Sequence, residues 1–321
     1  MTASLPQDVR EVFDRFITTE FATIDASGQP IAWPVTPYHD PAAGTIDVTT
    51  GLGYPKKADD AAANPKVALL FSDPTGSGLD GGSTVLVQGT AAVDDRDLEA
   101  NRARYMRESI EKLPGTKDAQ PPKPLQRFFT WYYARIYVRV RPERVYVWRG
   151  GIHVEPELLD THLEEVRSGH NEEPPAPLAG PLGREPAWDA RIDELGQLYE
   201  TAVLTLVAPD GFPFSVRVPV SVDREARRIR IDRPPPGVPL HAGLACVTAH
   251  DHDPDFNWQR NFQVRGDLIE EDGGWALVPA KLVGGFELPP GGTLGRYRQN
   301  LGKIRRFRRT AKRELAKRGS A

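Results

Sequence analysis

A chain of 321 residues has room for two domains, and 39% hydrophobic against 26% charged residues excludes wholesale disorder. No apolar run approaches the ~20 residues of a membrane-spanning helix, residues 1–10 carry no secretory signal, and one cysteine, Cys246, excludes an intramolecular disulfide and a structural zinc site. The net charge of −3 is uneven: residues 291–321 hold eleven Lys/Arg and one acid, Glu314, leaving −13 on the rest. The expectation is a cytoplasmic protein with an acidic body and a basic tail.

The first element is a short amphipathic helix, with Val9, Val12, Phe13 and Phe16 on one face. Strands follow at 21–24, 31–38 and 45–50, the first two joined by a turn at Gly28. The third ends in Thr49 and Thr50. After it come a glycine turn, Lys56 and Lys57 opening an alanine-rich helix, a stop at Asn64-Pro65, and an apolar strand. Val85 to Gly89 and Arg135 to Trp148 read as further strands, separated by a proline-bearing loop at 113–124. Residues 155–167 read as an acidic helix with Leu158, Leu159, Leu163 and Val166 inward, and 168–186 as a proline-rich linker.

The pattern then starts again. Ile192, Leu195, Leu198 and Tyr199 mark a helical face, and strands lie at 203–207, 214–222 and 228–232. Gly211-Phe212-Pro213 matches Gly28-Gln29-Pro30, and Phe262 to Gly266 matches Val85 to Gly89. Many short strands with glycine turns argue for barrels. The expected architecture is mainly β with short helices, one barrel duplicated in the chain; the family resemblance given below implies that each copy is a six-stranded split barrel and that the two form a pseudo-dimer. Its parts are a first barrel at 1–154, to which that resemblance assigns the cofactor site, an acidic helix and linker at 155–186, a degenerate second barrel at 187–290, and a basic helical tail at 291–321. In the tail, Leu294, Tyr297, Leu301, Ile304, Phe307, Ala311 and Leu315 form an apolar stripe among basic residues. Docking on the body is the favoured reading, with nucleic-acid or membrane contact as the lesser one.

Hydroxyls at Thr49 and Thr50, turn amides, a helix start and the ammonium groups of Lys56 and Lys57 suit a phosphate monoester. An ordinary solvated strand–helix turn remains the alternative. The second copy lacks these groups: Arg233 is followed by three prolines that obstruct a helix. His250 and His252 lie in a polar segment, and no metal site is expected. His39 is a candidate for the substrate pocket. Residues 256–261 either cap a cofactor across the interface or pack on their own barrel. No nucleophile elbow or carboxylate pair stands out, so the catalytic residues are unknown.

Gly28-x-Pro30, Pro34-Val35, Thr49-Thr50, Lys57 and Asn64-Pro65-x-Val67-Ala68-Leu69, in that order, resemble the pyridoxamine 5′-phosphate oxidase-like family of flavin-binding split barrels. Val87 to Ala91 and Arg135 to Trp148 resemble its later strands, so the likeness spans about residues 5–150. The resemblance implies FMN, or the deazaflavin coenzyme F-420, in a groove between two barrels. It implies that Lys57 holds the phosphate with Thr49 and Thr50 as hydroxyl donors, and that Lys56 is a second candidate. Trp33, Pro34, Val35 and Thr36 would lie along the ring system, and Gln88 would reach the ring or ribityl chain. The implied activity is an FMN-dependent oxidoreductase acting on an unknown small molecule. The alternatives are a deazaflavin-dependent reductase and a non-catalytic cofactor- or haem-binding split barrel. A further homodimer is compatible with the internal pseudo-dimer.

Overall fold

The computed structural model describes residues 5–79, 81–113, 129–151, 153–160, 178–285 and 293–318. The first half comprises α1 (Gln7–Arg15), β1 (Thr19–Ile24), β2 (Pro30–Val35), β3 (Tyr38–Asp40), β4 (Thr45–Gly51), α2 (Lys56–Ala63), β5 (Lys66–Phe71) and β6 (Thr84–Asp94). It continues with α3 (Leu98–Lys112), α4 (Thr130–Tyr133), β7 (Arg135–Trp148) and β8 (Glu157–Asp160). Its antiparallel sheet runs β2-β1-β5-β6-β7-β4-β3, with β8 added to β7. The second half holds β9 (Thr201–Val207), β10 (Pro213–Asp223), β11 (Arg228–Ile231), β12 (Gly243–His252), β13 (Gln259–Glu271) and β14 (Gly274–Gly284). These close into a barrel ordered β10-β11-β14-β13-β12-β9. The tail is α5 (Thr293–Arg318).

The two halves follow the same strand order, open between β2 and β3 in the first and closed in the second. The hairpin β1–β2 pairs Ile24 with Pro30, and β9–β10 pairs Val207 with Pro213. In the second copy β10 runs on unbroken to pair with β11. In the first copy the equivalent strand is broken at Thr36-Pro37 into β2 and β3. Both long hairpins, β6–β7 and β13–β14, shift register at a matching glycine, Gly89 and Gly266. A Cβ on Gly89 would overlap the carbonyl oxygen of Arg141, and one on Gly266 that of Val278. Both bulges therefore require glycine.

α1 places Val9, Val12 and Phe13 in the first core, where each large apolar side chain contributes about 1.5–3 kcal/mol. Two expected helices are corrected. Around Ile192 only a single 3₁₀ turn forms (Ala190–Glu194), because Gly196 takes a left-handed φ of 75°. Ile192, Leu195 and Tyr199 are still buried, while Leu198 is exposed. The acidic helix begins instead as strand β8: Leu159 packs on the first core and Leu158 faces solvent, a two-residue alternation. The rest of that helix, and most of the linker before residue 178, lie outside the described residues.

The barrels pack face to face as a pseudo-dimer. Ala22, Ala32, Ala68, Leu70, Leu86 and Trp148 share one core with Leu204, Phe214, Val216 and Val247. Polar contacts cross the interface from both sides. Gln88 Nε2 donates to Pro213 O at 2.8 Å, and Gln263 Nε2 donates to Ala32 O at 2.6 Å. At one end Glu20, only 1% exposed, accepts from Arg217 and Ser72, each at 2.9 Å, and lies 2.5 Å from His250 Nε2. Cys246 lies in the shared core, where burial pushes its thiol up to about 11.

α5 docks on the first barrel. Ile304 and Ala311 are buried, and Phe307 stacks on Trp131 with centroids 5.4 Å apart. Arg318 pairs with Asp59, Asp95 and Glu314. Leu315, the last member of the expected stripe, is exposed, and the side chains of Leu294, Tyr297 and Leu301 lie outside the described residues. Among the described residues no helix is long and apolar enough to cross a membrane.

Candidate cofactor site

Strand β4 alternates Ile46, Val48 and Thr50 inward with Asp47 and Thr49 outward. Thr50 Oγ1 donates to Tyr54 O at 2.8 Å and so tightens the turn into α2. The amides of that turn are held internally. Leu52 N donates to Ala134 O, Gly53 N to Trp131 O and Tyr54 N to Gly51 O, all at 2.9–3.1 Å. A Cβ on Gly53 would lie 2.8 Å from Phe307 Cβ, so this glycine admits the tail helix. The expected set of free turn amides is thereby reduced to the start of α2, which has no side-chain cap.

Two cations meet at this point. Arg135 lies opposite Gly51 in the β4–β7 ladder and is 5% exposed. Its guanidinium lies 3.9 Å from the ring centroid of Tyr105 and 4.2 Å from that of Tyr132, and it donates to Tyr54 Oη at 3.3 Å. Its Nε has no partner among the described residues. Lys57 Nζ lies 5.8 Å from the Tyr54 ring centroid. Burial, with the Arg135 charge adding to it, pushes the Lys57 ammonium down to about 8. Neither cation has a carboxylate partner among the described residues. The tyrosines supply no counter-charge, because burial raises the phenols of Tyr38, Tyr54, Tyr105 and Tyr133.

A neighbouring arginine shows the contrast. Arg104 of α3 pairs with Asp47 at 2.7 Å and Glu108 at 2.6 Å, and Tyr137 Oη donates to Glu108. That guanidinium is neutralised; among the described residues Arg135 has aromatic faces and one hydroxyl. A buried charge without a counter-ion carries a penalty of several kcal/mol, which cation–π contacts offset by about 2 kcal/mol. The arrangement makes this a candidate anion site. A phosphate between Lys57 and Arg135 would satisfy both cations, one as a point charge and one as a planar fork.

The other expected site residues lie elsewhere or contribute differently. Lys56 pairs with Asp60 at 2.9 Å and Asp25 at 3.8 Å, so its ammonium is already matched. Thr49 is half-buried and pairs across the ladder with Tyr137. Trp33, Pro34, Val35 and Thr36 are half-buried around the β2–β3 break, and Trp33 abuts Gly285 beyond β14. Gln88 is buried between the barrels with its amide nitrogen on Pro213 O. His39 pairs with Asp14 at 2.7 Å. The 256–261 segment packs largely on its own barrel: Arg260 pairs with Asp251 and lies over Tyr199, while Asn261 accepts from Gly285 N.

No family model matches the chain, and no curated protein matches it by sequence. Among solved structures it is similar to split-barrel proteins of the pyridoxamine 5′-phosphate oxidase-like type. General Stress Protein 26 from Bacillus anthracis str. Sterne shares 17% identity over 48% of this chain and 96% of its own, with a TM-score of 0.31. A general stress protein 26-related protein of the pyridoxinephosphate oxidase family, from Clostridium acetobutylicum, shares 13% identity over 48% of this chain and 92% of its own (TM-score 0.32). A protein described as an F420 reductase shares 19% identity over 44% of this chain and 98% of its own (TM-score 0.32). The duplicated barrel itself rests on the strand order and register given above.

Proposed function

We propose that the chain is a flavin-dependent oxidoreductase of the split-barrel type, with the phosphate of FMN held between Lys57 and Arg135. The observation that supports this reading is the pair of enclosed cations without a carboxylate among the described residues. Coenzyme F-420 also carries a phosphate, as a diester, so this deazaflavin is the alternative ligand. When bound, the cofactor supplies the hydride chemistry, and the protein supplies position and electrostatics.

Each residue has a defined task in this reading. Lys57 neutralises a phosphate oxygen and keeps its proton there, because a nearby anion restores the ammonium that burial disfavours. Arg135 contributes two parallel N–H donors, held in plane by Tyr105 and Tyr132 and oriented by the Tyr54 hydroxyl. Trp131 and Phe307, stacked together, shield the start of α2 from water and so strengthen the charge contacts beneath.

A second reading has its own support. Leu52, Gly53 and Tyr54 already use their amides internally, and Phe307 covers the turn. These features favour a split barrel that carries no flavin there. Absorbance and calorimetric titration with FMN, then with coenzyme F-420, separates the two. Saturable binding that weakens at least ~10-fold in Lys57→Ala and Arg135→Met supports the flavin reading. No spectral change and no heat with either cofactor overturns it.

A further inference from the structure

We infer that the outward face of α5 is a binding surface for the phosphate backbone of nucleic acid. Arg305, Arg306, Arg309, Lys312, Arg313 and Lys317 are all exposed. None of the six makes an ion pair among the described residues, whereas Arg318 beside them is tied to Asp59, Asp95 and Glu314. They span thirteen residues of helix, a rise of about 18 Å at 1.5 Å per residue. Arg306, Arg309, Thr310, Lys312, Arg313 and Ala316 line one open recess along that face.

The way the helix docks decides what this face is for. With −13 on the rest of the chain, a tail serving only as counter-charge would turn its cations toward the body's carboxylates. Instead Ile304, Phe307 and Ala311 face the barrel, Arg318 fastens the end, and the six cations named above are exposed. The same docking disfavours a lipid surface. An interfacial helix needs a free apolar face to bury in the acyl boundary, and here that face is occupied by the first barrel. What remains is a rigid, arginine-rich, water-facing strip. Guanidinium forks match phosphodiester oxygens, and duplex DNA presents one charge per about 1.7 Å of axis.

The test is fluorescence anisotropy of a labelled duplex DNA of about 20 base pairs, titrated with the full chain at several salt concentrations. Affinity should fall about 100-fold or more between roughly 50 and 200 mM NaCl. The variant R306A/R309A/R313A should bind at least ~30-fold more weakly at about 50 mM NaCl, with a salt slope shallower by about 2.7. Its thermal midpoint should be unchanged, because the three side chains are exposed. No binding of the duplex at about 50 mM NaCl, or equal binding by the variant, overturns the inference. So does tail-dependent binding to phosphatidylserine vesicles without binding to DNA. FMN affinity does not enter this test, so its outcome is independent of the flavin reading.

Discussion

The two barrels share their framework and differ in their chemistry. Both have the Gly-x-Pro hairpin, the glycine bulge in the long hairpin and a glutamine reaching across the interface. After β4 the first barrel turns into α2 and brings Lys57 beside Arg135. After β11 the second enters the proline segment at 233–239, where no helix forms. Arg217 of β10 takes the place of Pro34 of β2 and makes the buried contact with Glu20. The difference teaches that packing of the two barrels constrains both copies, whereas an anion site needs only one.

The largest effect should come from breaking the asymmetric end of the interface. Arg217→Ala takes the guanidinium from buried Glu20, leaving it Ser72 and His250, and should cost about 3 kcal/mol in urea denaturation. Pro34→Ala, at the matching position, should cost less than about 1 kcal/mol. Equal losses would erase the distinction between the two ends. Hydrogen bonding and the His250 and Arg217 charges outweigh burial and hold the Glu20 carboxyl below its unfolded value of 4.5. Its contribution is therefore present above about pH 4.5 and is lost as pH falls through the lower folded value. Glu20→Gln should flatten the acid limb of the stability–pH curve.

Next come the shared bulges. Gly89→Ala and Gly266→Ala should each cost about 1–3 kcal/mol, because both place a methyl group on a facing carbonyl. Thermal denaturation giving very different losses would mean that the two hairpins are not equivalent.

Smaller in energy, but sharper for function, is the cation comparison. Lys57→Ala should weaken FMN binding by about 1.5–3 kcal/mol, and Arg233→Ala should leave it unchanged. For the wild type, calorimetry across pH should show affinity declining as pH rises above about 8, where the free Lys57 ammonium loses its proton. A flat profile from pH 7 to pH 9 would remove Lys57 from the site. The smallest effect belongs to Lys56→Ala. Its partly exposed pairs with Asp60 and Asp25 are worth about 0.5 kcal/mol, and cofactor affinity should be untouched.

Much of this framework was legible in the residues. Turn chemistry at Gly28 and Gly211, the one-face pattern of α1 and the alternation of β4 are local properties, and the strands follow them. The duplication was visible because the same local sequence of turn, strand and bulge occurs twice. Lys57 was legible as a candidate because two lysines open a helix directly after a strand and a glycine turn. Two elements misled: Gly196 stops the helical face at Ile192, and Leu158-Leu159 suits a strand as well as a helix.

Arg135 was not legible as a site residue. In Arg135-Ile-Tyr-Val-Arg-Val-Arg the alternation shows that arginines share the outer face of β7, and nothing local separates Arg135 from Arg139. Tertiary structure does: Tyr54, Tyr105 and Tyr132 enclose Arg135, while Arg139 pairs with Asp94 and stays half-exposed. The sequence by itself determined the periodicities, turns and duplication, since each depends on a few neighbouring residues. Only the tertiary structure decided which charges lose their water, where the tail helix lands and that Gln88 bridges two barrels. Those outcomes depend on segments that are distant in the chain coming to cover the same surface.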